Sequence, residues 1–195
     1  MLRSSDTEQP LAGRREASAR FALRDATAEA HARLDSLYTR LDLADPADYA
    51  TFLTSHAAAF IPVEDALADA GAETLVPGWA ATRRADALRA DLAEMAIEVP
   101  PPAPRPSFLN DAQVLGALYV VEGSRLGGAV LIRSVKAGLP TRFLTPGNPA
   151  LWRAFTAKLD EQLSSAALLD DAAASATAVF GLFERAARAH LDIPL

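Results

Sequence analysis

The sequence predicts an all-α, single-domain protein, and three observations carry the prediction. Apolar residues recur at helical spacing in run after run, as in Leu88, Leu92 and Met95. Asp-Pro and Asn-Pro pairs open such runs, and glycines close them. Strand-like alternation of Val, Ile or Thr with polar residues is missing, as are internal repeats. The 195 residues suit one domain with a full core.

Residues 1–17 are polar, contain Pro10 and Gly13, and end near Arg14 and Arg15. They read as a loose tail ahead of a helical domain over 18–195. The first helix is expected from Ser18, a possible N-cap, to about Leu41. Its inward face carries Phe21, Leu23, Thr27, Ala30, His31, Leu34 and Tyr38. Asp45-Pro46-Ala47-Asp48 opens the second helix, which carries Tyr49, Phe52, Leu53, His56 and Phe60. Pro62 should kink it and Gly71 should end it. Pro77-Gly78-Trp79 opens a third segment. Its mixed run Arg83, Arg84, Asp86, Arg89, Asp91 and Glu94 reads as a solvated face. Val99 to Pro106, VPPPAPRP, is a stiff connector. A helix follows from Asn110, with Val114, Leu115, Leu118, Val121 and Leu126 as its apolar face, stopping at Gly138-Leu139-Pro140. Asn148-Pro149 starts another, with Leu151, Trp152, Phe155, Leu159 and Leu163 on one face. Asp170 to His190 is the last, with Ala176, Phe180, Phe183 and Ala187 inward.

The helix after Asn110 stands apart, because it carries Gly116, Gly123, Gly127 and Gly128 in its interior. Each interior glycine costs about 1 kcal/mol relative to alanine. Gly116, Gly123 and Gly127 share one face, leaving a strip of bare backbone. Two readings compete: a neighbouring helix packs tightly there, or a flat ligand lies against the strip. His31 has two readings as well, a satisfied core residue or a ligand, and His56 is its rival.

Composition narrows the function. The net charge of −6 argues against a nucleic-acid surface. There is no cysteine, hence no disulfide, thiolate metal site or cysteine nucleophile. No apolar run is read as long enough to cross a bilayer, and the start has no secretory core, so a soluble cytoplasmic protein is expected. Serine-elbow, phosphate-loop and dinucleotide fingerprints are absent, and the histidine spacing does not fit a carboxylate di-iron site. One inward histidine without companions is the ligand economy of haem, whose porphyrin supplies four nitrogens.

Three stretches sharpen this: LRDATAEAHARLDSLY (Leu23 to Tyr38), LGALYVVEGSRLGGAVLIR (Leu115 to Arg133) and ATAVFGLFERAARAHL (Ala176 to Leu191). With FLTSHAAAFIPVEDAL, they resemble the bacterial haem oxygenases, in particular the branch encoded with bacteriophytochromes. The resemblance implies a haem oxygenase-like helical fold, with His31 as axial ligand of the haem iron and His56 as a packing residue. Gly123 and Gly127 would lie over the distal face of the porphyrin. With Ser124, which stands where the animal enzymes carry an aspartate, they would form the catalytic side. Arg24 and Arg133 would receive the haem propionates, and Asp35 would order the imidazole through water. Haem would be both substrate and cofactor, consumed with O2 and an external electron donor such as ferredoxin. The products would be biliverdin, carbon monoxide and ferrous iron, with a bacteriophytochrome as a candidate acceptor of the bilin. A non-catalytic haem carrier on the same fold is the alternative. A thiaminase-like hydrolase would need the missing cysteine, and a helical interaction domain would fill the glycine strip with a partner.

Overall fold

The computed structural model describes residues 18–192; the expected tail over 1–17 and the last three residues of the domain lie outside that range. The long helices are α1 (Ala19–Tyr38), α2 (Pro46–Asp69), α4 (Ala85–Glu94), α5 (Asp111–Leu131), α6 (Pro149–Gln162) and α7 (Ala166–His190). A single turn, α3 (Ala72–Leu75), and a 3-10 turn, Ala80–Thr82, link α2 to α4. No strand occurs among the described residues. The all-α expectation therefore holds.

Caps explain most of the boundaries. Asp45 accepts the N–H groups of Ala47 (2.8 Å) and Asp48 (3.1 Å) at the start of α2, with Pro46 at the first position. Asn110, Asn148 and Ser165 cap α5, α6 and α7 through side-chain oxygens. Ser18 does not cap α1. Asp160 of α6 takes the Ala19 N–H instead, at 2.7 Å, and accepts the Ser18 hydroxyl at 3.1 Å. One helix thus supplies the cap of another. The last helix starts earlier than Asp170, because Ser165 caps it and the alanines that follow favour helix. The glycine-bearing helix α5 stops at Leu131 rather than near Gly138, so 132–139 is a run of turns.

Helix α2 runs unbroken through Pro62 to Asp69. A proline there lacks the N–H that would bond the Ala58 carbonyl. The Ala103 N–H, from the proline-rich connector, bonds that carbonyl at 2.7 Å. Arg105 of the connector pairs with Asp69 at the end of α2. Gly71 then takes a left-handed conformation, φ 80°, which ends the helix.

Helix α7 is the centre of the molecule, packing against α5, α1 and α2. Its inner face is small and aromatic by turns: Ala172, Ala176, Val179, Phe180, Phe183 and Ala187. Gly116 of α5 meets it backbone to backbone. A Cβ on Gly116 would lie 2.0 Å from the Ala172 carbonyl oxygen, far inside contact distance. At this glycine the tight-packing reading is the right one. Helices α5 and α7 are in fact long and apolar enough to cross a membrane by length and mean hydropathy, contrary to the expectation from sequence. Their apolar residues form the core pair of this bundle, which is where such composition is also found.

His56 fills a packing role, as expected. It is ringed by Tyr38 (4.7 Å), Phe52 (4.2 Å), Phe143 (5.6 Å) and Phe183 (6.0 Å), and its Nδ1 bonds the Phe52 carbonyl at 2.9 Å. Burial pushes the imidazole down to about 4, the Phe52 bond opposing and the Arg84 cation assisting. The ring is therefore neutral in the fold.

Two outcomes follow from this packing. Gly116→Ala should destabilise by roughly 1–3 kcal/mol or more, because the obstacle is backbone and cannot rotate away; thermal melts should show a loss of several degrees. For His56, the unfolded chain takes up a proton below about 6.5 while the folded ring waits until about 4. Stability should therefore fall as pH drops from about 6.5 towards 4, by up to roughly 3 kcal/mol from this group. Urea unfolding at pH 8 and pH 5 should show a smaller pH loss in His56→Gln than in the parent.

Candidate functional site

Helices α1 and α5 both pack on α7, and the candidate site residues lie on these two helices. His31 comes from α1. Spacing placed it inward, yet its side chain is 59% exposed. The buried stripe of α1 runs through Ala19, Leu23, Thr27, Ala30 and Leu37, and His31 stands one step beyond its edge. It is neither a core histidine nor a loose surface one. Its ring meets Phe180 of α7 edge-on at 5.5 Å, and its Nδ1 lies 2.9 Å from the Asp35 carboxylate. Asp35 thus holds the imidazole directly rather than through water. The other ring nitrogen, Nε2, has no partner among the described residues.

The glycines of α5 divide between the two readings of the strip. Gly116 packs on α7, and a Cβ on Gly128 would lie 3.5 Å from the Leu144 side chain. A Cβ on Gly123 would make only ordinary contact, 3.7 Å from the Trp152 ring of α6. A Cβ on Gly127 would meet nothing within 4 Å. Around Gly127 the helix exposes Leu126 (52%) and Val130 (64%). Leu126 is therefore not part of the buried face, as its spacing had suggested. Bare backbone beside exposed apolar side chains is a surface suited to a flat apolar body.

Ser124 faces a different group. Its hydroxyl donates to the Val121 carbonyl at 2.7 Å and accepts from the Arg84 guanidinium at 2.6 Å. Arg84 also donates to the Val121 carbonyl at 2.7 Å, and is 5% exposed. The reading of its run as a solvated face fails here and at Asp91, which is fully buried. In sequence, a charge that binds backbone looks like one that faces water. The Arg84 guanidinium lies over Phe60 (4.6 Å) and Phe143 (5.0 Å). Burial lowers it to about 9, and Arg125 adds to the shift against Glu122 and Glu64; it stays a cation at neutral pH. The Glu64 carboxylate accepts the N–H groups of Arg84 (2.9 Å) and Ala85 (2.8 Å), which starts α4. Asp91 accepts the Phe143 N–H at 2.8 Å, fixing the loop whose Phe143 and Leu144 back Arg84 and Gly128. Arg84 is the main site residue that the sequence reading missed.

Tyr119 is another. Burial raises its hydroxyl, and Arg20 and Arg24 pull it back from nearby, with the Thr27 hydroxyl beside it. Tyr119 of α5 therefore faces the basic turn of α1. Arg24 itself pairs with Asp25 at 2.8 Å and lies over Phe21. Arg133 is exposed in the turns beyond α5, and its side chain makes no ion pair among the described residues. The structure thus brings Tyr119 to the Arg24 turn of α1 and His31 to Asp35 and Phe180, and among the described residues no ion pair, hydrogen bond or ring contact joins Arg24 or Arg133 to His31.

These residues fit a haem. No group of three or more metal-ligating side chains exists among the described residues. A single imidazole with one free nitrogen is enough only for a metal that arrives with most of its ligands, as in a porphyrin.

No family model matches the chain. A haem oxygenase of Xanthomonas campestris is 36% identical over 146 residues, which are 71% of this chain and 88% of that protein. The haem oxygenase PigA of Pseudomonas aeruginosa is 33% identical over 145 residues, 69% of this chain and 73% of that one. Among solved structures, the NO- and CO-bound haem oxygenase of Neisseria meningitidis superposes with a TM-score of 0.80 at 22% identity, covering 91% of this chain and 94% of its own. The last match speaks for the fold and the first two for descent: the chain belongs to the haem oxygenase family of enzymes.

Proposed function

We propose that this haem oxygenase binds haem through His31 and opens the porphyrin with O2 and reducing equivalents, giving biliverdin, carbon monoxide and ferrous iron. The observation that carries the reading is an exposed imidazole, steered by Asp35, on α1 together with open backbone at Gly127 on α5, both helices being packed on α7. Bound haem supplies the iron at which O2 is reduced, and it is also the molecule that is cleaved. The chain does the rest. Asp35 accepts from Nδ1 and so presents the free Nε2 as the iron ligand. A neutral nitrogen donor gives less push towards O–O cleavage than a thiolate would. Gly123 and Gly127 would let the α5 backbone come close to a bound haem and keep bulk water from it. Arg84 bonds the Val121 carbonyl and Ser124, holding the helix at the level of these glycines. The Ser124 hydrogen is already used on Val121, so Ser124 serves the helix more than a distal water. Arg24 and Tyr119 would hold a propionate, with Arg133 as a second cation from the turns beyond α5.

Electrons would come from an external donor of the ferredoxin type in the cytoplasm. A bacteriophytochrome is the acceptor we assign to the bilin, on the likeness of the EGS-bearing α5 stretch to that branch.

Haemin titration tests the reading. The parent should give a one-to-one Soret band that His31→Ala loses, and with ferredoxin and reductant in air the band should decay to biliverdin absorbance. A stable band under reductant would mean haem carriage without catalysis, and no saturable band would end both haem readings. Gly127→Ala offers a sharper contrast. It should leave the apoprotein as stable or up to ~1 kcal/mol more stable, since alanine favours helix and meets no neighbour. Its rate of biliverdin formation should nevertheless fall at least several-fold. Equal rates in the two proteins would remove Gly127 from the site.

A further inference from the structure

A cavity of about 240 Å³ lies against α5 and α6. It opens between α5, α6 and the Leu75–Thr82 segment, and none of its lining residues comes from α1. Its walls are Trp79, Leu118, Trp152 and Phe155, with Glu122 inside and Lys158 among the lining residues. The Glu122 carboxylate is already satisfied, by the Trp79 indole N–H at 3.2 Å and Arg125 at 2.7 Å. Lys158 is differently placed. Its one ion-pair partner among the described residues is Glu161, 3.8 Å away with a side chain 69% exposed, a distance and exposure at which water competes well.

We propose that this cavity is a binding site for a small apolar carboxylic acid, distinct from the His31 site. The aromatic and leucine walls take the apolar body, and the ammonium of Lys158 takes the carboxylate. The volume exceeds the roughly 150 Å³ of an apolar cavity that takes benzene, which suits a medium-length acyl chain or a single ring system. Glu122, being held by Arg125 and Trp79, leaves Lys158 as the cation that a bound acid would meet. Occupancy would also be felt at the haem side. The Trp152 ring that lines the cavity is the one lying 3.7 Å from the position of a Cβ on Gly123.

The protein carries its own reporter, since both of its two tryptophans line this cavity. Octanoate titrated into the apoprotein should change tryptophan emission saturably. Octan-1-ol, with the same chain and no charge, should bind at least tenfold more weakly. Lys158→Gln should abolish that tenfold difference. Ala154→Phe, at an exposed lining position of α6, should block both ligands while leaving the helical circular dichroism unchanged. Calorimetry on haemin-loaded protein should still find octanoate binding, because the two sites are separate. No saturable response to either ligand would overturn the proposal. So would octanoate binding that ignores both substitutions, or that haemin displaces, which would put the acid at the His31 site. The apoprotein titrations need no haem, so they stand whatever the haemin titration of the proposed activity returns.

Discussion

The close approach of α5 to α7 at Gly116 governs the rest of the architecture. Any side chain there would drive into the Ala172 carbonyl, so the two helices can meet only through bare backbone. Because α7 also carries α1, this one contact sets how far the His31 helix stands from the glycine-bearing one. The glycines cost helix stability of about 1 kcal/mol each. At Gly116 the return is tight packing, and at Gly127 it is open space. A single pattern of residues therefore serves two different physical ends, eleven positions apart on one helix.

The upper part of α5 is held by charges rather than by packing. Arg84, Glu64 and Asp91 are buried, and each satisfies backbone groups of another segment. Buried ions are costly unless hydrogen-bonded, and removing one partner strands the other. Such a network tolerates little displacement. It ties the α4 start, the Phe143 loop and the α5 carbonyl at Val121 into one unit. The glycines beside it can then be bare without making the helix lax.

The fold was legible because helix signals in this chain are local. Asp45-Pro46 and Asn148-Pro149 act within their own turns, and the structure starts helices at both. His31, Gly123 and Gly127 were singled out by motif likeness, while spacing had put His31 on the wrong side of the stripe edge. Arg84 and Tyr119 were not legible. Their roles depend on neighbours about 40 and 90 positions away, Ser124 for one and the Arg24 turn for the other. The cap of α1 escaped for the same reason, since Asp160 is supplied by another helix. Sequence order records local chemistry well and long-range hydrogen bonding hardly at all.

The connector VPPPAPRP has a grammar of its own. Among its last seven residues, the proline run is interrupted twice, at Ala103 and Arg105. Those are the two positions that reach α2: one with the amide that proline lacks, the other with a guanidinium. The amide repairs the gap that Pro62 opens in the helix. Pro62 and Ala103 are thus a coupled pair, each tolerable because of the other. A proline at 103 would leave the Ala58 carbonyl orphaned, and an ordinary residue at 62 would compete with Ala103 for that carbonyl, leaving Arg105 as the firmer fastening. What reads as low-complexity spacer is a strap whose two non-proline letters are its fastenings.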